Sequence, residues 1–197
     1  MVDNIKIGDQ NWSNVNLNSN EFRNGEKIEL VKDPKDWFEL NKNNKPACCY
    51  YNFNESNGQK LGLLYNWFSV IDPRNICPEG WRIPTKEDFE KLILFLGDDS
   101  GKHLKSKSIW KKGEKGNGED SFGFKALPSG FHNQKGKYFD NLKDATYFWT
   151  IDDITENLGE INEVNVGIAA SLNFNNHYTF LKEFNKGIGN SIRLIKE

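Results

Sequence analysis

The run Cys77-Pro78-Glu79-Gly80-Trp81-Arg82-Ile83-Pro84-Thr85, continued by Lys86-Glu87-Asp88-Phe89-Glu90-Lys91-Leu92-Ile93-Leu94-Phe95-Leu96-Gly97, changes character at its middle. Pro84-Thr85 opens a helix. The Thr85 hydroxyl is placed to cap the amide three residues on, and Glu87 and Asp88 put negative charge where the helix dipole is positive. Phe89, Leu92, Ile93 and Leu96 then recur on one face, and Gly97 closes the helix. Just upstream, Gly62 to Ile71 reads as a second helix, in which Leu63, Leu64, Trp67, Phe68 and Ile71 form a broad apolar stripe that Asp72-Pro73 stops.

Outside these helices the chain reads as strands and long loops. Ile5 to Ile7, before Gly8-Asp9, and Ser191 to Ile195 both alternate with period two and are expected to pair, because the ends of a small domain tend to lie together. Phe122 to Leu127, Tyr147 to Ile151, Val164 to Ser171 and Thr179 to Phe184 are further strand candidates, and Asn133 to Gly136 reads as a hairpin turn. Ser13 to Lys45 and Gly97 to Asp120 are polar, lack periodicity and read as long loops. The pattern is α+β over residues 1–197 as one domain, with two early helices, a late antiparallel sheet and paired terminal strands. In the last strand Arg193 points opposite to Ile192 and Leu194, so a covered face there requires its guanidinium to be paired with a carboxylate or with carbonyls.

Composition narrows the function classes. Hydrophobic residues make up only 37% of the 197, but 13% are aromatic, and these rings supply core bulk that a mean hydropathy of −0.73 hides. With 26 basic and 28 acidic side chains the net charge is −2, which gives no drive toward a phosphate backbone, so nucleic acid is not an expected partner. No uninterrupted apolar run is long enough for a membrane helix, so no membrane insertion is expected. The start, Met1-Val2-Asp3-Asn4-Ile5-Lys6, lacks the basic-then-apolar layout of a signal peptide.

Six blocks, in order, carry a family resemblance. They are Ile7-Gly8-Asp9-Gln10-Asn11-Trp12 with Asn16-Leu17-Asn18; Pro46-Ala47-Cys48-Cys49-Tyr50-Tyr51-Asn52; Gly62-Leu63-Leu64-Tyr65-Asn66-Trp67; Cys77 through Thr85; Gly123-Phe124-Lys125-Ala126-Leu127-Pro128-Ser129-Gly130-Phe131; and Phe148-Trp149-Thr150. From about Ile5 to Ile195 the chain resembles the Fibrobacter succinogenes major paralogous domain. That family is similar in pattern to the formylglycine-generating-enzyme branch of the C-type lectin-like fold. The resemblance implies such a fold, with chain ends that pair, and an extracellular or cell-surface setting. It supplies no activity. Cys48 is an addition to the family block, whose cysteine corresponds to Cys49, and Asn190 stands where an aromatic is common. For Cys49 and Cys77 a disulfide and two buried free thiols are both open. The oxidase chemistry of the formylglycine-generating enzymes needs cysteines near the C-terminus, and this chain has none after Cys77.

Chemistry-bearing residues are scattered. Cys48, Cys49 and Cys77 lack metal-ligand spacing, and His103, His132 and His177 stand in no recognisable base or metal motif and read as surface or loop residues. Of the acidic pairs Asp98-Asp99, Glu119-Asp120 and Asp152-Asp153, the last follows Phe148-Trp149-Thr150 near an expected sheet edge. No cofactor is expected beyond a structural calcium on such loop carboxylates. Trp12, Trp67, Trp81 and Trp149 read as core; Trp37, Trp110, Tyr138, His177 and Tyr178 lie in Asn-rich stretches with the composition of a contact surface. The expected working surface is therefore Asp152, Asp153, Asn175, Asn176, His177 and Tyr178. The expected function is a non-catalytic, lectin-like recognition module for a glycan or protein ligand. The alternatives are a polysaccharide hydrolase using Asp or Glu and a purely protein-binding scaffold.

Overall fold

The computed structural model describes residues 4–135, 138–157 and 163–197. In chain order the elements are β1 (Asn4–Ile7), β2 (Gln10–Ser13), β3 (Glu29–Leu30), α1 (Pro34–Lys42), β4 (Ala47–Cys49), a 3₁₀ turn (Tyr51–Phe53), α2 (Glu55–Leu61), β5 (Leu64–Tyr65) and α3 (Trp67–Val70). They continue with β6 (Trp81–Arg82), α4 (Lys86–Leu96), α5 (Ser100–Leu104), β7 (Ser129–His132), β8 (Phe139–Leu142), β9 (Ala145–Asn157), β10 (Glu163–Asn173), β11 (Thr179–Asn185) and β12 (Ile195–Lys196). The architecture is mixed, with a few short helices and several sheets, and its class is α+β. One sheet runs β1-β2-β12-β6, a second β11-β10-β9-β7-β8 and a third β3-β4-β5.

Helix α4 forms as its sequence predicts. Thr85 Oγ1 accepts from Asp88 N at 3.1 Å, and Asp88 Oδ2 accepts from Thr85 N at 2.7 Å, which is a complete capping box. Arg82 grips both oxygens of the same carboxylate. Burial pushes the Asp88 carboxyl up, but the hydrogen bonds from Arg82 and Thr85 outweigh it and leave the group below the ordinary carboxylate range. A depressed folded-state value contributes stability that is present above the unfolded value of about 3.9 and is lost as pH falls through the folded one. Asp88→Asn is therefore expected to cost about 2 kcal/mol at neutral pH. Urea unfolding of the two proteins should differ at pH 7 and begin to converge only as pH falls below about 4; a gap independent of pH would contradict the assignment.

The second expected helix is mostly something else. Leu64 and Tyr65 pair with Cys49 and Cys48, and only Trp67–Val70 is helical. Asn66 lies between them, fully buried. Its Oδ1 accepts from Ala47 N and Ser69 N, and its Nδ2 donates to Lys45 O and Asn41 Oδ1. A buried amide that serves four partners caps the start of a helix rather than riding through one. The long polar segment from Ser13 to Lys45 holds α1, started by Asp33 and Pro34, and α2 and α5 likewise come from stretches without an apolar period.

The termini share a sheet, but not as expected. Gly8 (φ +58°) and Asp9 close a tight hairpin between Ile7 and Gln10, so β1 pairs with β2 and it is β2, through Trp12, that meets Ile195. The segment before β12 then runs through the middle of the molecule, with Ser13 N bonding to Leu194 O, Leu17 N to Ile192 O and Trp149 N to Ser191 O. Arg193 is fully buried on this segment and is paired as expected, with carbonyls and one amide as partners. Residues 122–127 are not a strand. Gly123 and Lys125 take positive φ, and Phe124 O and Lys125 O turn inward to the Arg193 guanidinium. Strands β9, β10 and β11 cover the remaining candidates, and β7 and β8 form the hairpin around Asn133; Gly136 lies outside the described residues.

Trp12, Phe89, Phe124 and Phe148 pack in one core cluster; Trp67, Trp81, Trp149 and Cys77 in another; and Trp37, Tyr51 and Leu64 in a third. Trp37 and Trp110, expected at a surface, are buried, and their indole N–H groups donate to Gly187 O and Ala126 O. All three cysteines are free, so the Cys49–Cys77 bridge is not formed. Neighbouring strand residues diverge, and this places Cys48 in the cluster of Cys77 but Cys49 in that of Trp37. Burial raises all three thiols.

Candidate functional site

The structure divides the expected working surface. Asp152 Oδ2 accepts from Lys86 N at 2.6 Å and so finishes the N-terminus of α4. Asp153 points the other way, to the Lys186 ammonium at 2.6 Å. Asn175 to Tyr178 form the turn between β10 and β11 at the far end of the sheet. Asp153 pairs with Gly167, whereas Ala145 pairs with Asn173, and that length of strand is about 20 Å. The turn is also committed to the fold. His177 O accepts from Gly101 N and Lys102 N, Asn176 O accepts from the fully buried Lys105 ammonium at 2.9 Å, and Thr179 N donates to Ser100 Oγ. Burial alone pulls Lys105 down to about 8. His177 sits 3.5 Å from Asp99, while the Tyr178 ring stays half exposed beside Phe180.

His132, read as a loop residue, is fully buried. Its ring stacks on Phe139 with centroids 4.0 Å apart, and its Nδ1 lies 3.5 Å from Cys49 Sγ. Separated by most of the early chain, this Cys–His pair has no sequence signature. It does not make a nucleophile: the thiol is fully buried, burial raises it far above its ordinary value, and a reactive cysteine needs an exposed thiolate. Among the described residues no group of three or more His, Cys, Asp or Glu side chains is gathered that could hold a metal ion, and no helix is long and apolar enough to cross a membrane.

Asp153 leads instead to a cleft that sequence reasoning missed. Lys186 follows β11, is buried, and places its ammonium 4.2 Å from the centre of the Trp67 ring as well as on Asp153. The hydrogen bond from Lys186, against a smaller effect of burial, holds the Asp153 carboxyl below the ordinary carboxylate range. Beside this pair Asn185 Oδ1 accepts from Gly187 N, and Gly187 O accepts from Asn41 Nδ2 at 2.9 Å and Trp37 Nε1 at 3.1 Å. Asn41 Nδ2 also reaches Gln134 O at 3.3 Å, so one side chain ties α1 to the β7–β8 turn and to the end of β11. These bonds make a rigid floor.

Above the floor opens a cleft of about 280 Å³. Phe38 from α1 and Phe68 from α3 contribute rings to its lining, the first 42% exposed. Asn44, Gln134, Asn165 and Asn185 contribute amides, and Lys42 and Lys135 stand beside them. Among the described residues the side chains of Asn44, Gln134 and Asn165 make no hydrogen bond. The signal in the sequence is the abundance of Asn, but each of these residues reads locally as a turn residue.

No curated protein and no solved structure matches the chain. A family model does, over residues 5–196, nearly the whole length: the chain belongs to the Fibrobacter succinogenes major domain family.

Proposed function

We propose that this chain is a non-catalytic saccharide-recognition module, a variant of the C-type lectin-like build working in an extracellular or cell-surface setting, and that the cleft over Lys186 and Gly187 is its binding site. The observation that carries the reading is the set of amides on Asn44, Gln134 and Asn165, unspent among the described residues and held with the rings of Phe38 and Phe68 around a braced floor. Sugar rings offer apolar faces that stack on aromatics and hydroxyls that both donate and accept, as an amide does. The meeting of both chain ends in the sheet β1-β2-β12-β6 supports the lectin-like build. Binding is favoured over hydrolysis because the carboxylate beside the cleft, Asp153, is held ionised by Lys186, which leaves it no proton to give a leaving group.

A glycan array should return saccharide ligands for the wild-type chain. Phe38→Ala and Asn165→Ala should then each weaken binding about tenfold, the loss expected for one stacking ring or one good hydrogen bond. Both positions are exposed, so the melting temperature should hold. Tyr178→Ala should leave binding unchanged. Loss of affinity in Tyr178→Ala but not in Phe38→Ala would move the site to the β10–β11 turn and overturn the assignment.

A further inference from the structure

Resting on that reading, we propose that the saccharide is acidic: a uronic-acid oligosaccharide whose carboxylate docks between Lys42 and Lys135. The chain as a whole carries more acid than base, with 28 acidic and 26 basic side chains. The cleft reverses this balance, because among the described residues its lining holds three lysines and neither Asp nor Glu. The Lys186 charge is already met by Asp153 at 2.6 Å. Ion pairs among the described residues also engage Lys27, Lys86, Lys91, Lys102 and Lys111, and leave Lys42 and Lys135 without a carboxylate.

Both lysines line the same cleft. Each follows a residue of the Asn41–Gln134 contact, so they leave the backbone from adjoining points on α1 and the β7–β8 turn. Two like charges so placed repel unless an anion lies between them, and a concave wall concentrates their field on whatever enters. The amides and rings alongside suit the rest of a sugar unit: hydroxyls to Asn165 and Gln134, the apolar ring face to Phe38.

The test is calorimetric titration of the full chain with oligogalacturonate, oligoglucuronate and oligomannuronate, each against its uncharged methyl ester, and with a sulfated neutral oligosaccharide. At least one free acid should bind about tenfold tighter than its ester, the effect expected of two exposed charge pairs. The preference should shrink as salt is added. In the double variant Lys42→Gln, Lys135→Gln it should vanish while affinity for the ester is kept. Equal binding of acid and ester would overturn the acidic assignment and leave the saccharide site standing, and so would binding of the sulfated sugar alone. Failure of every saccharide to bind would remove both.

Discussion

Arg193→Met is expected to lower stability by about 4 kcal/mol, a large share of what a domain this size has. The guanidinium is fully buried. Nε donates to Asn16 Oδ1 at 2.7 Å, Nη1 to Ser13 O at 2.9 Å and also to Phe124 O, and Nη2 to Lys125 O at 3.0 Å. The ring of Phe124 covers it at 4.6 Å and that of Phe148 at 5.5 Å. Among the described residues no carboxylate bonds to it; carbonyl dipoles from two distant segments balance the charge. Methionine keeps most of the volume but strands those carbonyls in a dry interior, and each stranded group costs about 1–3 kcal/mol. Arg193→Lys should recover only part, since an ammonium lacks the planar fork that reaches three directions at once. Chemical denaturation measures the loss directly; a change under about 1 kcal/mol would mean that water replaces the guanidinium.

Gly130→Ala is expected to cost about 3 kcal/mol, although it adds one methyl group. Gly130 has φ +65°, and a Cβ there would stand 2.2 Å from Asp140 O and 2.8 Å from Tyr51 Cε2. The first of these is backbone across the β7–β8 hairpin and cannot turn aside. That hairpin carries Gln134 and Lys135 at its turn, so the substitution should also weaken ligand binding, by displacing one wall of the cleft. A stability loss with unchanged affinity would show that the hairpin accommodates the methyl without moving its turn.

How far the sequence reveals this molecule depends on whether a signal is local. Helix α4 is legible because cap, first-turn acids and apolar stripe all lie within one short run. Helix α1 escapes a periodicity reading because Trp37 is its one buried side chain, which leaves only Asp33-Pro34 to mark it. Residues 62–71 mislead for the opposite reason: the apolar stripe is real, but Asn66 bonds to partners as distant as Asn41 and Ala47, and no local pattern shows that. The alternation around Arg193 correctly implies a paired guanidinium; the divergence of Cys48 from Cys49 follows from strand geometry, but an extended segment does not say which of the two faces Cys77, and it is Cys48 rather than the expected Cys49. The Gly8-Asp9 hairpin, which exchanges β1 for β2 as the partner of β12, is visible only when the turn is weighed above the alternation. The cleft is the least legible feature, since its wall residues come from well-separated segments that meet only after β9, β10 and β11 have paired.

The claim that the cleft is the working site is tested most directly by following side-chain amide resonances of the ¹⁵N-labelled chain as an acidic oligosaccharide is added. The structure predicts shifts at the amides of Asn44, Gln134, Asn165 and Asn185, with Asn175 and Asn176 unmoved, because the first set shares one cleft and the second lies at the other end of the sheet. Shifts confined to Asn175 and Asn176, with the cleft amides silent, would contradict it.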